Sequence, residues 1–204
     1  MKVKLTAKMS RREGVNLDGR EKIDRIIAKR PYAPGIHGPT SRRRITDYGK
    51  QLREKQKCKR MYGMTEKQFR NAFEQAARKR GDTGELFIRM LESRLDNAVF
   101  RAGFAKTRAM ARQFVSHGMF DVNGRKVNVP SYRLKQGEIV SVRANKRNKK
   151  PWMNLAEDLK NRSLPSWIAV DPKEMTIKVT GSPAEEELKN QPFDTKRIVE
   201  FYSR

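Results

Sequence analysis

LESRLDNAVFRAGFAKTRAMARQFVSHGMFDVNGRKVNVPSYRLKQGEIVSV, from Leu91 to Val142, is the stretch whose reading decides the fold. Leu91, Leu95, Ala98, Val99 and Ala102 recur at three- and four-residue steps, and beyond Gly103 so do Met110 with Phe114 and Ala111 with Val115. Two helices, each burying one face, are predicted. Arg94 and Arg101 lie seven residues apart and Arg108 and Arg112 four apart, so each pair is predicted on one side of its helix, where a phosphate backbone fits. The period then changes. Gly118 stops the second helix, and Phe120, Val122, the Asn123-Gly124 turn, Arg125, Lys126 and Val127 predict a tight hairpin with a basic tip. Ile139 to Val142 supplies a further strand.

Outside this stretch, composition narrows the partners. A chain of 204 residues with 36% hydrophobic residues fills the cores of one or two modest domains. A net charge of +24 exceeds what solubility needs and calls for a compensating polyanion, with nucleic acid the default. A membrane surface ranks well behind, because no long apolar run and no amphipathic helix with an aromatic belt is present. The lone Cys58 excludes an internal disulfide framework and suits a reducing compartment such as the cytoplasm. MKVKLTAKMSRREG resembles neither a signal peptide nor a transit peptide, so the mature chain is expected to begin there.

The basic charge is concentrated early: residues 1–80 hold 24 Lys or Arg against 8 Asp or Glu. Residues 1–44 read as a basic arm with short helices around Ser10 to Arg12 and from Asp18 to Lys29, followed by a Pro- and Gly-rich segment. Arg11 and Arg12 are its candidate RNA contacts. Its apolar side chains are too few to offset the backbone entropy of ordering, which predicts a mobile arm that folds on its partner. A long helix is predicted from Ile45 to about Tyr62, with Lys50, Arg53, Lys57 and Arg60 on one side and Ile45, Tyr48 and Leu52 on the other. Solvated faces normally mix signs; this basic stripe is unbroken, which favours RNA contact. A second helix runs from an N-cap at Thr65 to Lys79 and packs through Phe69, Ala72, Phe73, Ala76 and Ala77; another begins at Glu85.

Later segments carry fewer signals. Trp152 opens a predicted helix to about Lys160 and is a candidate for base stacking, whereas Trp167, beside a hairpin pattern at 167–180, reads as core. Ser182-Pro183-Ala184-Glu185 has the form of a capping box, and Asp194 caps a last helix containing Ile198, Val199, Phe201 and Tyr202.

Arg94-Leu95-Asp96-Asn97, Arg101, Thr107-Arg108, Arg112 to Gly118 and Val122-Asn123-Gly124 together resemble the RNA-binding domain of the small-subunit ribosomal protein number four family. RPYAPGIHG at 30–38, QLREKQK at 51–57, Tyr62-Gly63-Met64 and Gly81-Asp82-Thr83-Gly84 resemble that family's other signatures, so the likeness covers nearly the whole chain. Met119 stands where many members carry His, and Ala33-Pro34 where many carry two prolines; neither change removes a cation. Many members also hold zinc with four cysteines in the arm, but residues 1–57 contain none. The resemblance implies an α+β fold, a mainly helical body of residues 45–90 plus 183–204 with the module, two helices plus a small antiparallel sheet, and its following hairpin inserted at 91–182. It further implies RNA contacts at Arg94, Asn97, Arg101, Thr107, Arg108, Arg112, Ser116, His117, Arg125 and Lys126, with His37 in the arm. Small-subunit ribosomal RNA and neighbouring ribosomal proteins, number five among them, are the implied partners. Contact with messenger RNA where it enters the subunit would fall to Arg42, Arg43, Arg44 and Lys50.

No catalytic constellation emerges. His37, His117 and Cys58 do not form a ligand cluster, so neither metal nor cofactor is predicted, and glycine-rich phosphate loops and nucleophile elbows are missing. Arg94-Leu95-Asp96 resembles the catalytic triplet of some pseudouridine synthases, yet here it lies inside the module, where Asp96 is read as orienting an arginine. An RNA-modifying enzyme and a ribosome-rescue stress protein sharing the module are the rival readings; the expected function is a non-catalytic ribosomal constituent.

Overall fold

The computed structural model describes residues 5–40, 45–152, 155–160 and 163–203. They fall into two units, Met1–Phe87 with Gln191–Arg204, and Ile88–Asn190. No helix among the described residues is long and apolar enough to cross a membrane.

The first unit contains α1 (Ala7–Glu13), α2 (Glu21–Lys29), α3 (Asp47–Met61), α4 (Glu66–Ala77), the start of α5 (Thr83–Glu92) and the last helix of the chain, α10 (Thr195–Tyr202). Thr46 and Thr65 accept hydrogen bonds from Gly49 N and Gln68 N, and at Thr65 a reciprocal bond from its own N–H to Gln68 completes a capping box. Asp194 caps α10 through Lys196 N and Arg197 N. Each cap satisfies a backbone donor that the helix leaves open. Phe69, Phe73, Phe87 and Tyr202 form the aromatic centre, with Phe69 and Phe87 edge to face at 5.1 Å and Phe73 stacked on Tyr202 at 4.6 Å. Gly84 permits close approach of α10: a Cβ there would meet Thr195 Cγ2 at 2.9 Å.

The buried side of α3 differs from the one expected. Ile45 and Tyr48 are exposed, and the helix instead buries Gln51, Lys55, Cys58 and Met61. The cause lies on α10. Gln51 donates to Glu200 at 2.9 Å, and the Lys55 ammonium sits 4.6 Å from the Phe201 ring centroid while pairing with Glu66 at 2.5 Å. Burial alone would raise the Glu66 carboxyl, but hydrogen bonds from Lys55 and Lys59 outweigh it and lower it. Burial and the same carboxylate push the Tyr202 phenol upward.

The arm also departs from expectation. Ser10, Leu17 and Ile23 are buried, and Arg11 donates to the carbonyls of Arg30 and Tyr32 at 3.1 and 3.0 Å, tying α1 to the segment after α2. Glu13, its side chain fully buried, pairs with Arg53 at 3.3 Å and Arg60 at 2.5 Å on α3. Counting apolar residues missed this, because the attachment is polar. Burial raises the Glu13 carboxyl above its ordinary value, and attraction from Arg53, Arg60, Lys57 and Arg12 does not cancel that rise. A raised folded pKa means that the linked stability is present below the unfolded pKa and lost as pH rises through the folded one. Glu13→Gln is therefore expected to leave the arm as resistant to limited proteolysis at neutral pH as the parent, or more so. Faster cleavage in the variant would show that the ion pairs outweigh the burial cost.

The second unit contains the rest of α5, α6 (Leu95–Arg101), α7 (Arg108–Ser116), α8 (Leu155–Lys160), α9 (Glu185–Lys189) and strands β1 (Phe120–Val122), β2 (Arg125–Val127), β3 (Ile139–Val142), β4 (Ile168–Asp171) and β5 (Thr176–Val179). The strands form one antiparallel sheet in the order β2-β1-β3-β5-β4. The later hairpin thus extends the module's sheet. Asn123 and Gly124 carry φ of 49° and 76°, the pair of positive angles that a tight two-residue hairpin turn requires. Alternate residues, Phe120, Val122, Val140, Val142, Ile177 and Val179, enter a core shared with Leu95, Val99, Phe114 and Val115. Trp152 is part of that core, 5.2 Å from Phe114 and 5.8 Å from Phe120, and so is not a base-stacking platform. Trp167 is buried as predicted. At 182–185 the capping box does not form; α9 starts two residues later than expected, with Ala184 at the cap and no side-chain bond.

Candidate nucleic-acid interface

The helix predicted through Leu91 to Ala102 is interrupted. α5 ends at Glu92, Ser93 still bonds back to Arg89 O, and Arg94 takes an extended conformation as the N-cap of α6. The segment 130–134 lies along this break: Leu95 N donates to Tyr132 O at 2.8 Å, Leu134 N to Ser93 O at 2.8 Å, and Arg94 bridges to Arg133. Burial and the nearby Arg94 charge lower the Arg133 guanidinium. Arg94 therefore does not share an outer helix face with Arg101. It is 7% exposed and grips Asp96 with two bonds, Nε to Oδ1 at 3.0 Å and Nη2 to Oδ2 at 2.9 Å. The outward position expected for Arg94 is thus corrected: its side chain is turned in and held by Asp96.

The other three arginines stand around buried acceptors but remain partly exposed. Arg112 donates from Nε and lies at 2.9 Å from Asp96 Oδ2 through Nη2. Arg101 takes both oxygens of Glu92, Nε to Oε2 at 2.9 Å and Nη2 to Oε1 at 2.8 Å. Arg108 donates Nε to Asn97 Oδ1 at 2.9 Å, with its guanidinium 4.5 Å over the Phe100 ring. Asn97 is itself buried and donates to the Glu92 carboxylate. Charge-assisted pairs of this kind aim a guanidinium as well as hold it. Glu92 was missed as a site residue. Its signal was an acid four residues before Asp96 and nine before Arg101, in a run where Glu92 and Asp96 are the two acidic residues.

Thr107 is a structural cap, accepting from Met110 N, so its hydroxyl is committed to starting α7. Ser116 and His117 are exposed at the end of α7, with Ser116 Oγ donating to Arg112 O. Arg125 and Lys126 are exposed on the hairpin. In the first unit Arg12 and His37 are exposed, whereas Arg11 is engaged internally. The stripe on α3 is not an unbroken row of uncommitted cations: Lys50 pairs with Asp47, Arg53 and Arg60 with Glu13, and Lys57 with Glu54. Arg42, Arg43 and Arg44 lie outside the described residues. Among the described residues no group of three or more His, Cys, Asp or Glu could hold a metal ion.

Residues 4–92 match the family described as ribosomal protein S4/S9 N-terminal domain, and residues 93–140 match the S4 domain. Small ribosomal subunit protein uS4 of Roseiflexus castenholzii is 47% identical over 97% of this chain and 96% of its own length. The chain belongs to the small ribosomal subunit protein uS4 family. The Geobacillus stearothermophilus protein is 46% identical and that of Borrelia turicatae 43%, each over 97% of this chain. Membership makes the chain a ribosomal protein with an RNA-binding S4 domain and not an enzyme. The Arg94-Leu95-Asp96 triplet is accounted for without chemistry, as a buried ion pair.

Proposed function

We propose that the chain binds small-subunit ribosomal RNA within the small subunit, as a non-catalytic cytoplasmic constituent that organises the 5′ region of that RNA during assembly. The observation that carries this reading is the S4 domain at 93–140, where Arg101, Arg108 and Arg112 stay partly exposed while buried acceptors hold them. Ser116, His117, Arg125 and Lys126 extend the contact surface of the same unit. Arg12, Lys50, Arg53, Lys57 and Arg60 contribute positive potential from the other, the ion-paired members as part of an α3 on which basic side chains outnumber acidic ones, and His37 adds an exposed imidazole for hydrogen bonding. Folded RNA is recognised chiefly by shape and phosphate, which suits cations on rigid helices. Binding lowers the free energy of one RNA arrangement and offers it to later proteins. Contacts with neighbouring ribosomal proteins, number five among them, would carry its influence on decoding accuracy, and Lys50 with Arg42 to Arg44 would face incoming messenger RNA.

Co-sedimentation with small subunits from cells tests membership of the particle. For the face itself, changing Arg101, Arg108 and Arg112 together to Gln is expected to weaken binding to folded small-subunit ribosomal RNA and to flatten the salt dependence by up to about three phosphate contacts. Unchanged affinity and slope in a folded variant would place the interface elsewhere.

A further inference from the structure

We propose that Glu92 is a positioning residue for RNA binding: one buried carboxylate, itself out of reach of RNA, sets the aim of two arginines on two different helices. This rests on the proposed RNA-binding role. Glu92 is 2% exposed. Its two oxygens take the Nε and Nη2 edge of Arg101, which fixes that guanidinium in plane, and Arg101 keeps 30% of its side chain at the surface. The second arginine is reached through Asn97. The Asn97 amide nitrogen donates to Glu92 Oε2 at 2.8 Å and to the Glu92 carbonyl at 3.0 Å, so its oxygen must point the other way. That oxygen is the acceptor for Arg108 Nε. Without the carboxylate the amide keeps only its bond to the Glu92 carbonyl, so its orientation, and with it the acceptor offered to Arg108, is held less firmly.

Long arginine side chains are costly to order, and ordering them before RNA arrives removes that cost from binding. Here two contrary physical effects give opposite signs. Long-range electrostatics says that removing a negative charge beside a polyanion site tightens binding. Positioning says that it loosens binding. Affinity of the full-length protein for a folded transcript of the 5′ region of small-subunit ribosomal RNA, measured across a salt series, separates them.

Glu92→Gln is expected to weaken binding roughly tenfold with little change in salt slope, since the same cations still meet phosphate once bound. In a background carrying Arg101→Gln and Arg108→Gln, the same substitution is expected to cost nothing further, which a merely structural role would not produce. Equal or tighter binding by folded Glu92→Gln overturns the proposal, as does an additive loss in that background. If Glu92→Gln fails to fold, Arg101→Lys decides: it keeps the charge but gives up the two-pronged contact, and parental affinity in that variant overturns the proposal. Failure of the parent protein to bind the transcript would instead overturn the RNA-binding reading itself.

Discussion

Replacing Asp96 by alanine is expected to destabilise the second unit by about 3–5 kcal/mol, the cost of leaving a buried charge without its partner. Arg94 has only 8% of its side chain exposed, and its two bonds to Asp96 are the reason that it can stay there charged. Arg112 loses the same acceptor, but with 22% exposure it recovers water and contributes less to the loss. For a chain of this size the midpoint of thermal unfolding should fall on the order of 10 °C. Asp96→Asn keeps the shape and one acceptor and should cost less, about 1.5–3 kcal/mol. Urea or thermal unfolding of both variants checks the order. The double change Asp96→Ala with Arg94→Met should recover most of the loss, because no charge is then stranded. A double variant as unstable as Asp96→Ala would show that the ion pair is not the source.

Trp152→Ala is expected to cost about 3–5 kcal/mol, the usual range for deleting a buried large aromatic side chain. Trp152 is 2% exposed and touches three rings, with centroid distances of 5.9 Å to Phe104, 5.2 Å to Phe114 and 5.8 Å to Phe120. Its indole nitrogen is buried without a hydrogen-bond partner among the described residues. Trp152→Phe should accordingly be much milder, since it trades lost volume for removal of an unsatisfied donor. Denaturant unfolding measures the stabilities, and RNA affinity of the folded Phe variant tests the alternative. A large loss of affinity in Trp152→Phe without loss of stability would return the side chain to a base-stacking role.

The second helix and the hairpin of the central stretch, and the first helix from Leu95 onward, were legible because their signals are local. Apolar steps of three and four residues specify a buried helix face, Asn123-Gly124 specifies a tight turn, and Thr65 and Asp194 cap helices that begin beside them. Charge balance was equally readable, because it needs no coordinates. What the sequence by itself determined was therefore the basic, polyanion-seeking character, the α+β class and the motifs that carry the family resemblance.

Only the tertiary structure decided which cations are spent inside the protein. Arg53 and Arg60 looked like an outward ladder until Glu13, more than 40 positions away on average, was found buried between them. Lys55 is interior because Phe201 and Tyr202 cover it from the far end of the chain. Arg94 turned inward because the helix breaks at Ser93 and the segment 130–134 lies along the break. Periodicity reports on which residues avoid water, and for arginine and lysine it is nearly silent, since their burial depends on a carboxylate or ring brought from elsewhere. Long-range pairing, not local propensity, decides whether a cation is a strut or a contact.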